Sequence, residues 1–189
     1  MPSLQESVAQ EAAAAGEAVP QLADALVTAA LSTAADRVPA RRDSILAAND
    51  ADVSGATDAL DAGAIDRLRL DGPRLDAIEA QLRELAALPP LEREIDSWRL
   101  PNGLEVSERR IPIGVVGANF EARPNVAVDI AGQLLKGLNG AVLRTGGAAL
   151  GTVTVLVDEV LRPALAEAGL PPDAVGLVRS PDREGARVL

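Results

Sequence analysis

The chain contains no cysteine and no histidine. That removes the thiolate nucleophile, disulfides, soft-ligand zinc sites and the imidazole base together. Chemistry performed by this chain alone therefore falls to carboxylates, guanidinium groups, one lysine and backbone amides. Two stretches put such groups where a ligand would meet them. Glu121-Ala122-Arg123-Pro124-Asn125 follows a run with strand character and opens one with helical spacing. There Arg123 matches a carboxylate or phosphate with its forked guanidinium, and Asn125 can donate a hydrogen bond to a carbonyl oxygen that is gaining charge. The same residues also suit a local role, Glu121 pairing with Arg123 while Asn125 caps the helix, and both readings stay open.

Arg144-Thr145-Gly146-Gly147 is the second stretch, again between a strand-like and a helix-like run. Gly146 and Gly147 would let the backbone approach a phosphate or ribose, with Arg144 as counter-charge, or would simply make a tight turn. A G-x-G-x-x-G dinucleotide fingerprint occurs nowhere in the chain. Lys136, the sole lysine, falls near the end of the helix that begins at Asn125 and reads as a complement to a helix dipole. Asp182-Arg183-Glu184 follows a third short strand, either beside a nucleotide or as a charged first helical turn. No metal-ligand spacing is present.

The elements that must position these residues divide near residue 100. Before it, Leu22, Ala25, Leu26, Ala29 and Ala30 form one apolar stripe, and Leu75, Ile78, Leu82, Leu85 and Leu88 form another, so residues 1–100 read as helices. The second has a start at Asp71-Gly72-Pro73 and a stop at Pro89-Pro90. Arg41 to Ala51 reads as a further helix, and Asp61-Ala62-Gly63 as a turn before Ile65 to Leu70. Pro101-Asn102-Gly103 is a turn signal leading into an exposed strand, Leu104 to Arg110. Ile113 to Ala118 and Gly140 to Arg144 then have the continuous small and β-branched character of strands covered on both faces. Helices over Asn125–Leu135 and Thr152–Ala168, a strand over Ala174–Val178 and a helix from Asp182 complete a β-α-β-α-β-α order. This order predicts an α/β fold: amino-terminal helices followed by a Rossmann-like, mostly parallel, doubly wound sheet. Such sheets usually continue, and a last helix ending at Leu189 without cap or further strand reads as an incomplete domain.

Charge excludes some partners. The formal charge is −10, and residues 1–100 carry 18 acidic and 9 basic side chains against 10 and 9 in the remainder. A nucleic-acid footprint needs a basic patch, and none is visible. No apolar run reaches membrane-span length and no leader pattern begins the chain, which points to a cytoplasmic protein with no membrane partner.

Ile111-Pro112-Ile113-Gly114-Val115-Val116-Gly117, then Phe120-Glu121-Ala122-Arg123-Pro124-Asn125-Val126 and Val128-Asp129, resemble the signature stretch of the γ-glutamyl phosphate reductase family, also called glutamate-5-semialdehyde dehydrogenases. Asp66-Arg67-Leu68, Ala86-Ala87-Leu88-Pro89, Arg99 to Leu104 and Ala168-Gly169-Leu170-Pro171 resemble the family in the same order. The resemblance implies an aldehyde dehydrogenase-like cofactor domain. It also implies an NADPH-dependent reduction of L-glutamyl 5-phosphate to the semialdehyde in proline biosynthesis, through a cysteine thioester. On that reading residues 1–100 are the helical amino-terminal region and 101–189 the Rossmann-like part of the NADPH-binding domain. The domain with the catalytic cysteine is absent, so this chain alone should be inactive, and the partners are either like chains in a homo-oligomer or a missing carboxy-terminal half. Arg123 and Asn125 then face the substrate, and Arg144, Gly146 and Gly147 the cofactor. A second reading is a non-catalytic binding or partner module derived from the family. The chain departs from the family pattern in Lys136-Gly137-Leu138-Asn139-Gly140, where Ser-Gly-Asn is usual after the lysine, and in the Thr145 inserted between Arg144 and the glycines.

Overall fold

A capping box starts the first helix in the computed structural model, which describes residues 3–182 and 184–189. The Ser3 hydroxyl accepts from the Glu6 amide, and the Glu6 carboxylate accepts from the Ser3 amide at 2.7 Å, which satisfies two amides at the start of α1 (Leu4–Ala18). α2 (Asp24–Ala40) buries Val27, Ala30, Leu31, Ala34, Ala35 and Val38 along one stripe. α5 (Gly72–Ala87) begins at the expected Asp71 cap, ends before Pro89, and buries Leu75, Ile78 and Leu82 alongside α2. Between them lie α3 (Arg42–Ala56) and α4 (Ala62–Leu68). Asp61-Ala62-Gly63 is not a separate turn: Asp61 Oδ1 accepts from the Ala64 amide at 2.7 Å, making it the N-cap of α4.

The helical reading of residues 1–100 stops short at residue 94. β1 (Glu94–Arg99) pairs antiparallel with β2 (Glu105–Arg109) in a projecting hairpin. Its turn is the expected Pro101-Asn102-Gly103, where Gly103 takes φ 87°, a left-handed conformation that costs glycine little.

The second sheet is parallel, in the order β3 (Val115–Asn119), β4 (Gly140–Arg144), β5 (Val175–Leu177). β4 is buried throughout, and its side chains alternate between two apolar layers. Ala141 and Leu143 join the main core built by α2, α5 and α6 (Pro124–Lys136). Val142 joins a smaller cluster with Val8 and Ala15 of α1 and Val188 and Leu189 near the chain's last turn, α9 (Gly185–Val188). Both faces of the sheet are thus covered by helices.

β3 departs from the expectation of a strand covered on both faces. It is an edge strand, half-exposed along its length, and Ile113 lies outside it with 84% exposure. The run is cut because Asn139 Oδ1 accepts from the amides of both Ile113 and Gly114, at 2.7 and 3.1 Å, and so holds the entering chain away from a strand ladder. The helix expected over Thr152–Ala168 starts earlier and is not regular. α7 (Leu150–Val155) passes through a π-helical stretch, Leu156–Leu161, into α8 (Arg162–Glu167). The last helix likewise begins at Gly185 and not at Asp182. No single helix among the described residues is long and apolar enough to cross a membrane.

Candidate functional site

Asn49 shapes one wall of the site from inside the core. Its fully buried side chain donates to the Leu68 carbonyl at 2.9 Å and accepts from the Leu70 amide at 2.6 Å, pinning the chain where α4 ends. Arg74 pins the same segment from outside. Its guanidinium donates to the carbonyls of Asp66 and Arg69 and to Asp66 Oδ1, the last at 2.8 Å. Leu68 and Leu70 are buried in the core, whereas their neighbours Arg67 and Arg69 are exposed. Neither guanidinium forms an ion pair or a hydrogen bond among the described residues.

The facing wall is the start of α6. Arg123 occupies the N-cap position without a side-chain cap bond, and Pro124 supplies the first turn. Asn125 therefore does not cap the helix: its Nδ2 donates along the helix to Asp129 Oδ2 at 3.4 Å. Arg123 lies 3.6 Å from the exposed Glu121, a loose pair open to water that leaves most of its charge available. Behind Asn125, burial pushes the Asp129 carboxyl above the usual carboxylate range, and the bond from Asn125 acts weakly against it. The second oxygen, Oδ1, is buried with no partner.

These two walls enclose a cleft of about 330 Å³ lined by Arg67, Arg69, Arg74, Arg123, Asn125 and Asp66, floored by apolar side chains of α5. Arg74 and Asp66 neutralise each other, so three guanidinium groups with the amino-terminal end of α6 make the cleft positive. Such a surface suits a small anion.

The other expected stretch lies next to it, at the carboxyl ends of β3 and β4. The Phe120 amide donates to the Arg144 carbonyl at 3.0 Å, the Thr145 hydroxyl to the Glu121 carbonyl at 3.4 Å, and Gly146 faces Ala122. The structure thus brings the two stretches together. Arg144 itself is 6% exposed. It donates to Asn119 Oδ1 at 3.2 Å and to the Asp182 carbonyl at 2.7 Å, while its Nε has no partner. Gly147 packs against Pro181, whose Cβ would lie 3.0 Å from an added Cβ, so its missing side chain serves a close approach of the loop after β5. Arg183 of the charged stretch Asp182-Arg183-Glu184 lies outside the described residues. Lys136 is buried and complements the end of a different helix from its own, donating to the Ala86 carbonyl of α5 at 3.4 Å and to the Thr28 hydroxyl at 3.2 Å.

No family model matches the chain. Its similarity to individual proteins is extensive: it is 44% identical, over 97% of its length, to a gamma-glutamyl phosphate reductase of Chloroflexus aurantiacus. The chain is homologous to the gamma-glutamyl phosphate reductases. It spans 44% of that relative's length, less than half. The crystal structure of a gamma-glutamyl phosphate reductase from Thermotoga maritima superposes with a TM-score of 0.89 at 31% identity, over 94% of this chain and 44% of that one. A probable aldehyde dehydrogenase from Listeria monocytogenes shares the fold at a TM-score of 0.71 and 15% identity, over 98% of this chain and 39% of the other. The α/β architecture is therefore a fold shared by gamma-glutamyl phosphate reductases and aldehyde dehydrogenases.

Within this reductase-like architecture, Arg67 and Arg69 are the cleft residues that motif reading missed. Their signal was Arg67-Leu68-Arg69-Leu70 where α4 gives way to extended chain: with Leu68 and Leu70 buried, both cations are left on the outside.

Proposed function

We propose that the chain supplies the cofactor crevice and one wall of the substrate cleft of an acyl-phosphate reductase, the enzyme that converts L-glutamyl 5-phosphate and NADPH into L-glutamate 5-semialdehyde, NADP and phosphate. The observation that carries this reading is the position of the Glu121–Val126 run: it joins a parallel strand to the start of α6 and opens on a cleft with three available guanidinium groups. Arg123 neutralises the phosphoryl group, which would otherwise repel electron density arriving at the acyl carbon. Asn125 Nδ2, steered by Asp129, donates to the acyl oxygen as it gains charge.

The donor set beside the sheet suits a nicotinamide cofactor. Arg144 is a cation at the carboxyl end of β4 with no carboxylate among its partners, which fits the phosphate-bearing ribose of NADPH. Gly146 and Gly147 form the turn beside it, where backbone rather than side chain meets the ligand. When bound, the cofactor supplies the hydride.

A chain without cysteine has no thiolate to form the acyl-enzyme, so purified 1–189 should reduce no glutamyl phosphate. The test combines it with the rest of the Chloroflexus aurantiacus relative, the part in which the family resemblance places the cysteine, and follows phosphate-dependent NADP reduction by the semialdehyde. Activity is expected only in the mixture, and Arg144→Ala should raise the KM for NADP by roughly tenfold or more. Turnover by 1–189 alone, or an inactive mixture of two folded and associated chains, would sink the reading.

A further inference from the structure

We infer that Arg67 and Arg69 form a preorganised anion seat that holds one charged end of a doubly anionic ligand, while Arg123 across the cleft takes the other. The most acidic part of the chain surrounds them, 18 acidic against 9 basic groups in residues 1–100, and yet neither guanidinium forms an ion pair among the described residues. Every other arginine on that wall is used: Arg74 is bound three times over to the segment that carries them. A local excess of acid that leaves two neighbouring cations unpaired is a geometric outcome, produced by the clamp. Asn49 from inside and Arg74 from outside fix the backbone at residues 66–70, so the two side chains project from a rigid base into the cleft. A seat built this way meets an anion without first ordering its own backbone, which is the condition for tight, oriented binding.

The cleft is also the right size for such a ligand. At about 330 Å³ it is at the small end of the range for small-molecule sites. It has cations on both walls and an apolar floor from Ala77 and Ile78 between them, as a short aliphatic chain with an anionic group at each end requires. The identity of the natural ligand, a dicarboxylic amino acid phosphorylated at one end, rests on the acyl-phosphate reading above. The seat for the anion does not.

Equilibrium dialysis of the 189-residue chain with radiolabelled glutarate, a short dianion, tests the seat without any enzyme activity. Saturable binding is expected, weakening with added salt, displaced by unlabelled glutarate and not by neutral glutaramide. The double variant Arg67→Gln/Arg69→Gln should lose affinity by roughly tenfold or more, because charge-assisted hydrogen bonds are removed. Arg69→Lys, which keeps the charge, should bind within a few-fold of the parent, and Arg187→Gln on α9 should bind as the parent does. Melting curves of all variants establish that each is folded. No saturable binding by the parent, or equal affinity in a folded double variant, overturns the proposal. Glutarate binding that persists while the reconstituted mixture reduces nothing would remove the reductase reading and leave the seat standing.

Discussion

Asp129 sits where two requirements conflict. Its carboxyl is half-buried, with one oxygen unpartnered and the other bound only by Asn125 at 3.4 Å, and burial raises its pKa. A raised carboxyl pKa means that the folded chain holds this proton more tightly than the unfolded one. The group therefore favours folding below the unfolded carboxylate range, and that advantage is lost as pH rises through the folded value. Asp129→Asn keeps an oxygen that can accept from Asn125 and removes the buried charge. Calorimetry should show a higher Tm for the variant near pH 7, with the difference shrinking as pH falls into the carboxylate range. A lower Tm near pH 7 would mean that Asp129 has a compensating cation. The acid is retained despite its cost, on the reading proposed above, because it steers the Asn125 amide toward the cleft.

Among the elements, the helix between β4 and β5 shows how a missing amide is answered from elsewhere. Pro163 has no N–H to give to the Glu159 carbonyl four residues earlier, and the helix widens to π geometry over Leu156–Leu161. The freed carbonyl accepts instead from Arg37 Nε of α2 at 2.9 Å, while Arg37 Nη1 pairs with Glu167 at 2.6 Å. Arg37→Met should cost about 1 to 3 kcal/mol by urea denaturation, the penalty for leaving a partly buried carbonyl without a donor. In a Pro163→Ala background the lost amide is restored, so the same substitution should cost less. Equal costs in both backgrounds would show that Arg37 acts through Glu167 alone. A comparable device closes one sheet edge: Glu11 accepts from the Leu177 amide at 3.2 Å and Arg162 donates to the Val175 carbonyl at 2.8 Å. β5 is thereby protected from strand addition, whereas β3 on the other edge has no such cover among the described residues.

Across the whole molecule, the acidic excess and the apolar exposure fall on different segments. Residues 1–87 carry 15 acidic and 7 basic side chains, but the large exposed apolar side chains are concentrated from Leu88 to Ile113, a nearly neutral segment with 5 acidic and 4 basic groups, with Ile111 and Ile113 at 82% and 84% exposure beside the open β3 edge. A net charge of −10 disfavours association only where the charge is local. The chain is therefore expected to self-associate, with light scattering giving a mass above that of the monomer and Ile111→Ser/Ile113→Ser lowering it. A compact monomer that binds no apolar dye would show that this surface is not sticky as it stands.

Helix existence was legible wherever an apolar stripe met a chemical start or stop, as at Asp71-Gly72-Pro73 and Pro89-Pro90, because periodicity and capping act within a few residues. The strand at Gly140–Arg144 was legible for the same reason, a continuous apolar run, and the Glu121–Val126 and Arg144–Gly147 stretches stood out by type and position. The hairpin strand at Glu94–Arg99 was not, since all its residues are exposed and no buried face imposes a pattern on them. Tertiary structure alone decided that Ile113 lies outside β3, its amide donating to Asn139 Oδ1, that Lys136 serves the end of α5, and that Arg67 and Arg69 join Arg123 around one cleft. Each depends on a partner many residues away, which local spacing cannot encode. What determines the function proposed here is the convergence of separate segments, and only the folded chain supplies it.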